Sequence, residues 1–201
     1  MERIILASKS PDRRELFKQA RIPIEVLKTE VDEEQFKKEI KDPIELVMEL
    51  ARTKGLNAKE VMQRSKKEGI IIAADTVVEL NGEIIGKAQD EQDAFRILKK
   101  LIGKTHNLLT GIAITNSYES KVITDYESTT VKFLKLSDDE IWNYIRSGDW
   151  KGRAGAYAIT EKASVFIEYI KGSPSNVIGL PMHKIFLILK NDFDFNILGI
   201  K

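Results

Sequence analysis

The sequence predicts an α/β protein, and three observations carry that expectation. The stretch Ile4 to Phe17, IILASKSPDRRELF, passes from a short apolar run directly into a helix start. Gly69 to Val78, GIIIAADTVV, is almost wholly apolar and rich in isoleucine and valine, as a central strand covered on both faces would be. Segments with apolar residues at helical spacing alternate with such strands. A chain of 201 residues, 42% hydrophobic and 31% charged, has ample material for one domain with a real core, so residues 1–201 are read as a single domain. The 32 basic and 31 acidic residues nearly cancel, which argues against a general nucleic-acid binder. The absence of cysteine removes disulfides, thiolate metal sites and a cysteine nucleophile. The first apolar run is too short for a signal peptide, and no apolar stretch reaches membrane-spanning length. A cytoplasmic setting with neither membrane nor nucleic acid as partner is expected.

In the first stretch, Ile4, Ile5 and Leu6 form a short buried strand, and Pro11 suits the first position of a helix, where its missing N–H has no partner to lose. Ser8, Ser10, Arg13 and Arg14 surround that helix start. Hydroxyls, guanidiniums and unpaired N–H groups together make a good anion site. The plainer reading is a surface turn with Ser10 as an N-cap. The helix, roughly Pro11 to Ala20, ends before Pro23, and Ile24 to Leu27 reads as a second strand. An acidic loop follows, with Glu30, Asp32, Glu33 and Glu34, a pattern that is most often a solvated charge run.

Asp42-Pro43 starts a helix on which Val47, Leu50, Ala51 and Lys54 share one face. Lys54 therefore lies on the apolar stripe, either snorkelling near the helix end or aiming its ammonium at a ligand. In GIIIAADTVV, Asp75 interrupts the apolar run, and a carboxylate there must be paired, metal-bound or placed at an opening. Asn81-Gly82 between apolar runs predicts a type I′ hairpin whose return strand, Glu83 to Ile85, delivers Gly86-Lys87. Asp90 to Leu101 is an amphipathic helix stopped by Gly103, assigned to packing alone. Leu108 to Thr115 reads as a strand, and Val122 to Leu136 as one or two more, with alternation at Val131 and Phe133. Ser137 and Glu140 form a capping box for a helix bearing Ile141, Tyr144 and Ile145. Gly152, Ala154, Gly155 and Ala156 allow close backbone approach, to a ligand or within a tight turn. Pro181 opens a last helix with Ile185, Phe186 and Leu189 facing inward, His106 is left outside the chemistry, and His183 is read as helix surface.

A series of blocks, in order from Ile4 to Pro181, resembles the Maf family of nucleotide pyrophosphatases. ASKSPDRRELF is similar to that family's ASxSPRRxELL. VDE at Val31 to Glu33, ARTKG around Lys54, AADTVV around Asp75 with the later Gly86-Lys87, and the late stretches LIGKTHNLLTG, WKGRAGAYAIT and GSPSNVIGLP match further family elements. The resemblance implies a mixed α/β fold with a long twisted sheet flanked by helices, two lobes, a central nucleotide cleft, and a homodimer. It implies Asp75, Glu33, Lys54 and Lys87 as catalytic residues, with Glu33 and Asp75 holding a divalent metal, Mg2+ or Mn2+. It implies Ser8, Ser10, Arg13, Arg14, Asp12, Thr76 and Thr160 as the substrate-binding set for a nucleoside triphosphate. The implied reaction is metal-assisted attack of water on the α-phosphorus, giving a nucleoside monophosphate and pyrophosphate. In the family, the first motif arginine, the threonine after the catalytic aspartate and a late glutamine accompany dTTP and UTP preference. This chain keeps only Thr76, with Asp12 and Thr160 at the other two positions, so altered specificity, including modified nucleotides, is an open expectation. Ala88 replaces the proline after Lys87, Arg153 a lysine and Glu161 a glycine. The alternative function is a nucleotide-binding regulator of cell division without turnover, with a sequence-unspecific RNA-binding module a distant third.

Overall fold

The computed structural model describes residues 3–200. Its strands are β1 (Ile4–Ala7), β2 (Glu25–Leu27), β3 (Ile70–Leu80), β4 (Glu83–Ile85), β5 (Thr105–Asn116), β6 (Val122–Phe133) and β7 (Ile167–Lys171). They form one mixed sheet in the order β2-β1-β3-β5-β6-β7, with β4 also paired to β3. The chain divides into two compact units. The first holds the chain up to Asp75, Thr110–Glu127 and the chain from Gly179 onward; the second holds Thr76–Leu109 and Ser128–Ile178. Among the described residues no helix is long and apolar enough to cross a membrane.

In the first unit, β1 pairs in parallel with β2 and with β3, with Ile4 opposite Ile70 and Ala7 opposite Ala73. Successive strand residues point to opposite faces, and both faces are apolar. Ile4, Leu6, Ile70, Ile72 and Ala74 pack with Phe17 of helix α1 (Pro11–Gln19) and with Ile185 and Leu189 of the last helix, Met182–Asp192. Ile5, Ala7, Ile71 and Ala73 pack on the other side with Ala51, Ala58 and Met62. Those three belong to a 22-residue helix, Pro43–Arg64, capped by Asp42 accepting from the Ile44 and Glu45 amides at 2.9 and 2.8 Å. The contacting residues on this side are small, so helix and sheet approach closely. A Cβ on Gly111 of β5 would lie 2.2 Å from the Val47 carbonyl oxygen.

One element departs from the sequence reading. The acidic loop begins a helix, α2 (Glu33–Glu39), numbered ahead of the long helix, which becomes α3. Asp32 caps it by accepting from the Gln35 amide at 3.2 Å. Glu33 and Glu34 in its first turn and Lys37 and Lys38 in its last suit the helix dipole.

In the second unit, β3 and β4 make the expected hairpin. Leu80 pairs with Glu83, and Asn81 and Gly82 both have left-handed φ, +53° and +82°. Val78, Leu80 and Ile85 pack with Ala94, Leu98 and Leu101 of α4 (Glu91–Leu101), while Ile141, Tyr144 and Ile145 come from α5 (Asp138–Ile145). The Ser137–Glu140 capping box is present. β6 is one continuous strand, with a register irregularity against β7 at Lys132/Phe133. At the centre, His106 lies edge-on to Phe133 and Tyr157, and its Nε2 is 2.9 Å from the Tyr157 hydroxyl. Nδ1 of His106 is buried without a partner among the described residues. Short α6 (Pro174–Ile178) carries the fully buried Asn176, whose amide donates to the Leu108 carbonyl at 3.1 Å, and the Met182–Asp192 helix of the first unit is α7. The small residues near 152–156 form a tight turn. Ala156 is fully buried, and a Cβ on Gly155 would lie 2.7 Å from a Val78 methyl, so these two residues face the protein's own core, while Gly152 is exposed.

Two outcomes follow from this packing. Gly111→Ala drives a methyl into main-chain atoms that cannot swing aside, and is expected to cost about 2 kcal/mol or more, read as a lowered urea midpoint. An unchanged midpoint would show that the helix is not seated this closely. Burial pulls the His106 pKa from 6.5 down to about 4, against a smaller upward push from Glu79. The unfolded chain therefore takes up a proton before the folded one does. The stabilisation is complete above pH 6.5 and declines by about 3 kcal/mol as pH falls to 4. Denaturation midpoints between pH 7 and 4 measure this, and His106→Gln is expected to flatten the decline.

Candidate active site

The first unit holds most of the expected site residues on or beside β1, β3 and its helices. β1 runs into Ser8, and Ser10 caps α1 by accepting from the Arg13 amide at 3.4 Å. Ser8 is buried; its hydroxyl accepts from the Ser10 amide at 3.1 Å and from the Arg13 guanidinium at 3.3 Å. Asp75 closes this unit's share of β3 and is only 8% exposed. Glu33 is the first residue of α2, and Lys54 comes from the middle of α3.

Lys54 joins the two carboxylates. Its Nζ is 2.7 Å from Glu33 Oε1 and 2.6 Å from Asp75 Oδ1, and its side chain is 12% exposed. Charge-assisted contacts of this length are the stronger kind of hydrogen bond. The apolar stripe predicted the face on which Lys54 lies. The snorkelling alternative fails because α3 continues to Arg64, so Lys54 is not near a helix end.

Arg13 has partners that the sequence did not indicate. Its Nε donates to the Gly179 carbonyl at 2.7 Å and its Nη1 to the Ala74 carbonyl at 2.8 Å. The guanidinium is buried. Burial lowers its pKa, while the carboxylates of Asp75, Glu33 and Asp12 push it back up. An arginine stays charged under such shifts. It fastens the β1–α1 turn to the residue just before Asp75 and to the loop that leads into α7. Gly179 was legible only as part of the GSPSNVIGLP block, with no role attached. Asp12 lies half-buried in the first turn of α1, and Arg14, one position past Arg13, is exposed.

The remaining three candidates belong to the second unit. Thr76 follows Asp75 on β3 and is half-buried. Lys87 is exposed, and its main chain bridges that of Ala154, with the Gly155 amide donating to Gly86 at 3.0 Å. Thr160 is exposed, just ahead of a 3-10 turn at Lys162–Val165.

Glu33 and Asp75, with Lys54 and Arg13 beside them, make a polar cluster whose carboxylate oxygens suit a hard divalent ion. Among the described residues no group of three histidine, cysteine, aspartate or glutamate side chains is placed to hold a metal. A cation resting on Glu33 and Asp75 would complete its shell with water and substrate phosphate oxygens, as magnesium commonly does. The donor set fits such an ion on those terms.

Residues 3–192 match the family model described as Maf-like protein. The dTTP/UTP pyrophosphatase of Thermoanaerobacter sp. (strain X514) is 42% identical over 196 residues, covering 98% of this chain and all of that protein. The dTTP/UTP pyrophosphatase of Caldanaerobacter subterraneus subsp. tengcongensis is 43% identical over 197 residues, covering 98% and 92%. That of Alkaliphilus oremlandii is 43% identical over 198 residues, covering 98% and 100%. A solved nucleoside-triphosphatase, a dITP/XTP pyrophosphatase from Mycobacterium abscessus, aligns over 67% of this chain and 74% of its own at 10% identity, with a TM-score of 0.36, too distant a likeness to carry an argument. Nearly full-length agreement with the family model, and with relatives above 40% identity, shows that this chain belongs to the family of Maf-like proteins.

Proposed function

We propose that the protein is a nucleoside triphosphate pyrophosphatase that hydrolyses its substrate to the monophosphate and pyrophosphate. The observation that carries the reading is the Lys54 ammonium held between Glu33 and Asp75, in a chain that is 42–43% identical to relatives named dTTP/UTP pyrophosphatase. dTTP and UTP are the proposed substrates. Asp12 and Thr160 depart from the usual arginine and glutamine, so modified nucleotides belong in the same panel.

Glu33 and Asp75 would hold a divalent cation, Mg2+ or Mn2+. When bound, it supplies positive charge to the phosphate oxygens and acidifies water. Asp75 accepts the proton of the attacking water, whose oxygen bonds to the α-phosphorus as the bond to the bridging oxygen breaks and pyrophosphate leaves. Lys54 offers its ammonium to the charge that develops on the phosphate oxygens. Ser8, Ser10 and the amides at the start of α1 orient the phosphates. Arg13 acts through the main chain: by holding the Ala74 carbonyl it sets the direction from which Asp75 reaches the water.

Pyrophosphate release from normal and modified triphosphates, with Mg2+ or Mn2+, tests the reading. The wild type is expected to turn over dTTP and UTP. Asp75→Asn is expected to lower kcat about a hundredfold to ten-thousandfold. Tight nucleotide binding without release by the wild type would instead support a regulator. Arg13→Lys keeps the charge but loses the planar fork. It is expected to lower the denaturation midpoint and to reduce kcat more than it raises KM. A rise in KM alone would mean that Arg13 touches the phosphates directly.

A further inference from the structure

We propose that Lys54 is the resident counter-ion of the Glu33–Asp75 pair, and that it yields this place only when a divalent cation arrives together with a triphosphate. The nucleotide-free protein then resists divalent ions that come alone. The inference rests on the pyrophosphatase reading and concerns the order in which ions exchange at that site.

The argument begins with what the ammonium already does. At 2.7 and 2.6 Å it covers one oxygen of each carboxylate, on side chains that are 37% and 11% exposed. A magnesium-sized ion needs oxygen contacts of about 2.0–2.1 Å. Each carboxylate keeps a second oxygen and spare lone pairs, so the competition is one of charge rather than of ligand atoms. Lys54 and the cation are drawn to the same pair of carboxylates, and their charges repel across a half-buried space where screening is weak.

Charge count points the same way. Glu33 and Asp75 carry two negative charges, and Asp12, which also acts on Arg13, adds a third; Lys54 and the buried Arg13 carry two positive ones. A bare divalent ion added to this set leaves positive charge in excess. A metal–triphosphate complex brings its own negative oxygens, which give the displaced ammonium somewhere to go. The lysine stem is long and flexible, so Nζ can move from carboxylate to phosphate without moving α3. The partially filled coordination shell that two carboxylates offer is completed by the same phosphates. Linkage makes the coupling reciprocal: whatever nucleotide does for metal affinity, metal does for nucleotide affinity.

The test uses nucleotide-free full-length protein and Mn2+, with free ion measured by electron paramagnetic resonance. Lys54→Met and Lys54→Gln are expected to bind Mn2+ about tenfold tighter than the wild type, or more, while Lys54→Arg, which keeps the charge, stays weak. Gln retains a donor for the carboxylates, so it keeps the fold where Met disturbs it. A second measurement needs no variant. Acylation of Lys54 in the wild type, followed by mass spectrometry, is expected to ignore Mn2+ alone and to change when Mn2+ is added together with a non-hydrolysable triphosphate, because only the complex moves the ammonium. Equal Mn2+ affinity in wild type and Lys54→Gln, or a Lys54 acylation rate that responds equally to Mn2+ alone and to Mn2+ with the triphosphate, would overturn the exchange. The Mn2+ titration contains no nucleotide, and neither readout needs turnover. The expected Mn2+ behaviour in a protein that never releases pyrophosphate would sink the enzymatic reading and leave the ion exchange at the pair standing.

Discussion

Two carboxylates brought close together in a half-buried place repel each other and lose hydration, and a cation has to sit with them. In this protein that cation is the Lys54 ammonium, shared between Glu33 and Asp75. The three residues come from α3, α2 and β3, elements with no local reason to meet. Their meeting depends on how deeply α3 lies on the sheet. Ala51, Gly55 and Ala58 on the helix face Ala7, Ala73 and Ala113 on the strands, and the Gly111 backbone receives Val47 without an intervening methyl. Larger residues at these positions would lift the helix and carry the ammonium away from Asp75. The packing and the polar cluster are consequences of one close approach.

Arg13 is the second cation, and it works differently. Its donors go to main-chain carbonyls on β3 and in the loop before α7, and to the Ser8 hydroxyl. A buried guanidinium with its fork satisfied in this way is costly to remove, because its partners would be left buried and unpaired. It links the start of the chain to the turn at Gly179. Division of labour between a lysine that can move and an arginine that cannot suits a site in which charge must be both supplied and held in register. The flexible stem of one and the rigid fork of the other are the physical basis of that difference.

Much of this was legible in the residues. An almost wholly apolar run rich in isoleucine and valine marked β3, and a single aspartate in that strand marked Asp75 as a group needing a partner. Helical spacing placed Lys54 on the buried stripe of α3. The Asn81-Gly82 hairpin, the Ser137–Glu140 capping box and the Pro43 helix start all appear where their local chemistry put them. The α2 helix was hidden because a run of acids reads as a solvated loop until Asp32 is seen to cap it. The small residues at 152–156 suited a ligand or a turn equally well, and packing made them a turn.

The sequence by itself determined the kinds of element, several of their ends, the apolar faces and the family to which the motifs point. These follow from periodicity, capping and turn preferences, which act over a few residues. Only the tertiary structure decided which charges meet. Lys54 finds its carboxylates 21 positions away in either direction, and Arg13 donates across 61 and 166 positions. An ionic or hydrogen-bonding side chain carries no mark of its distant partner. The choice is made when helices settle onto the sheet and leave each buried polar group with the few partners within reach.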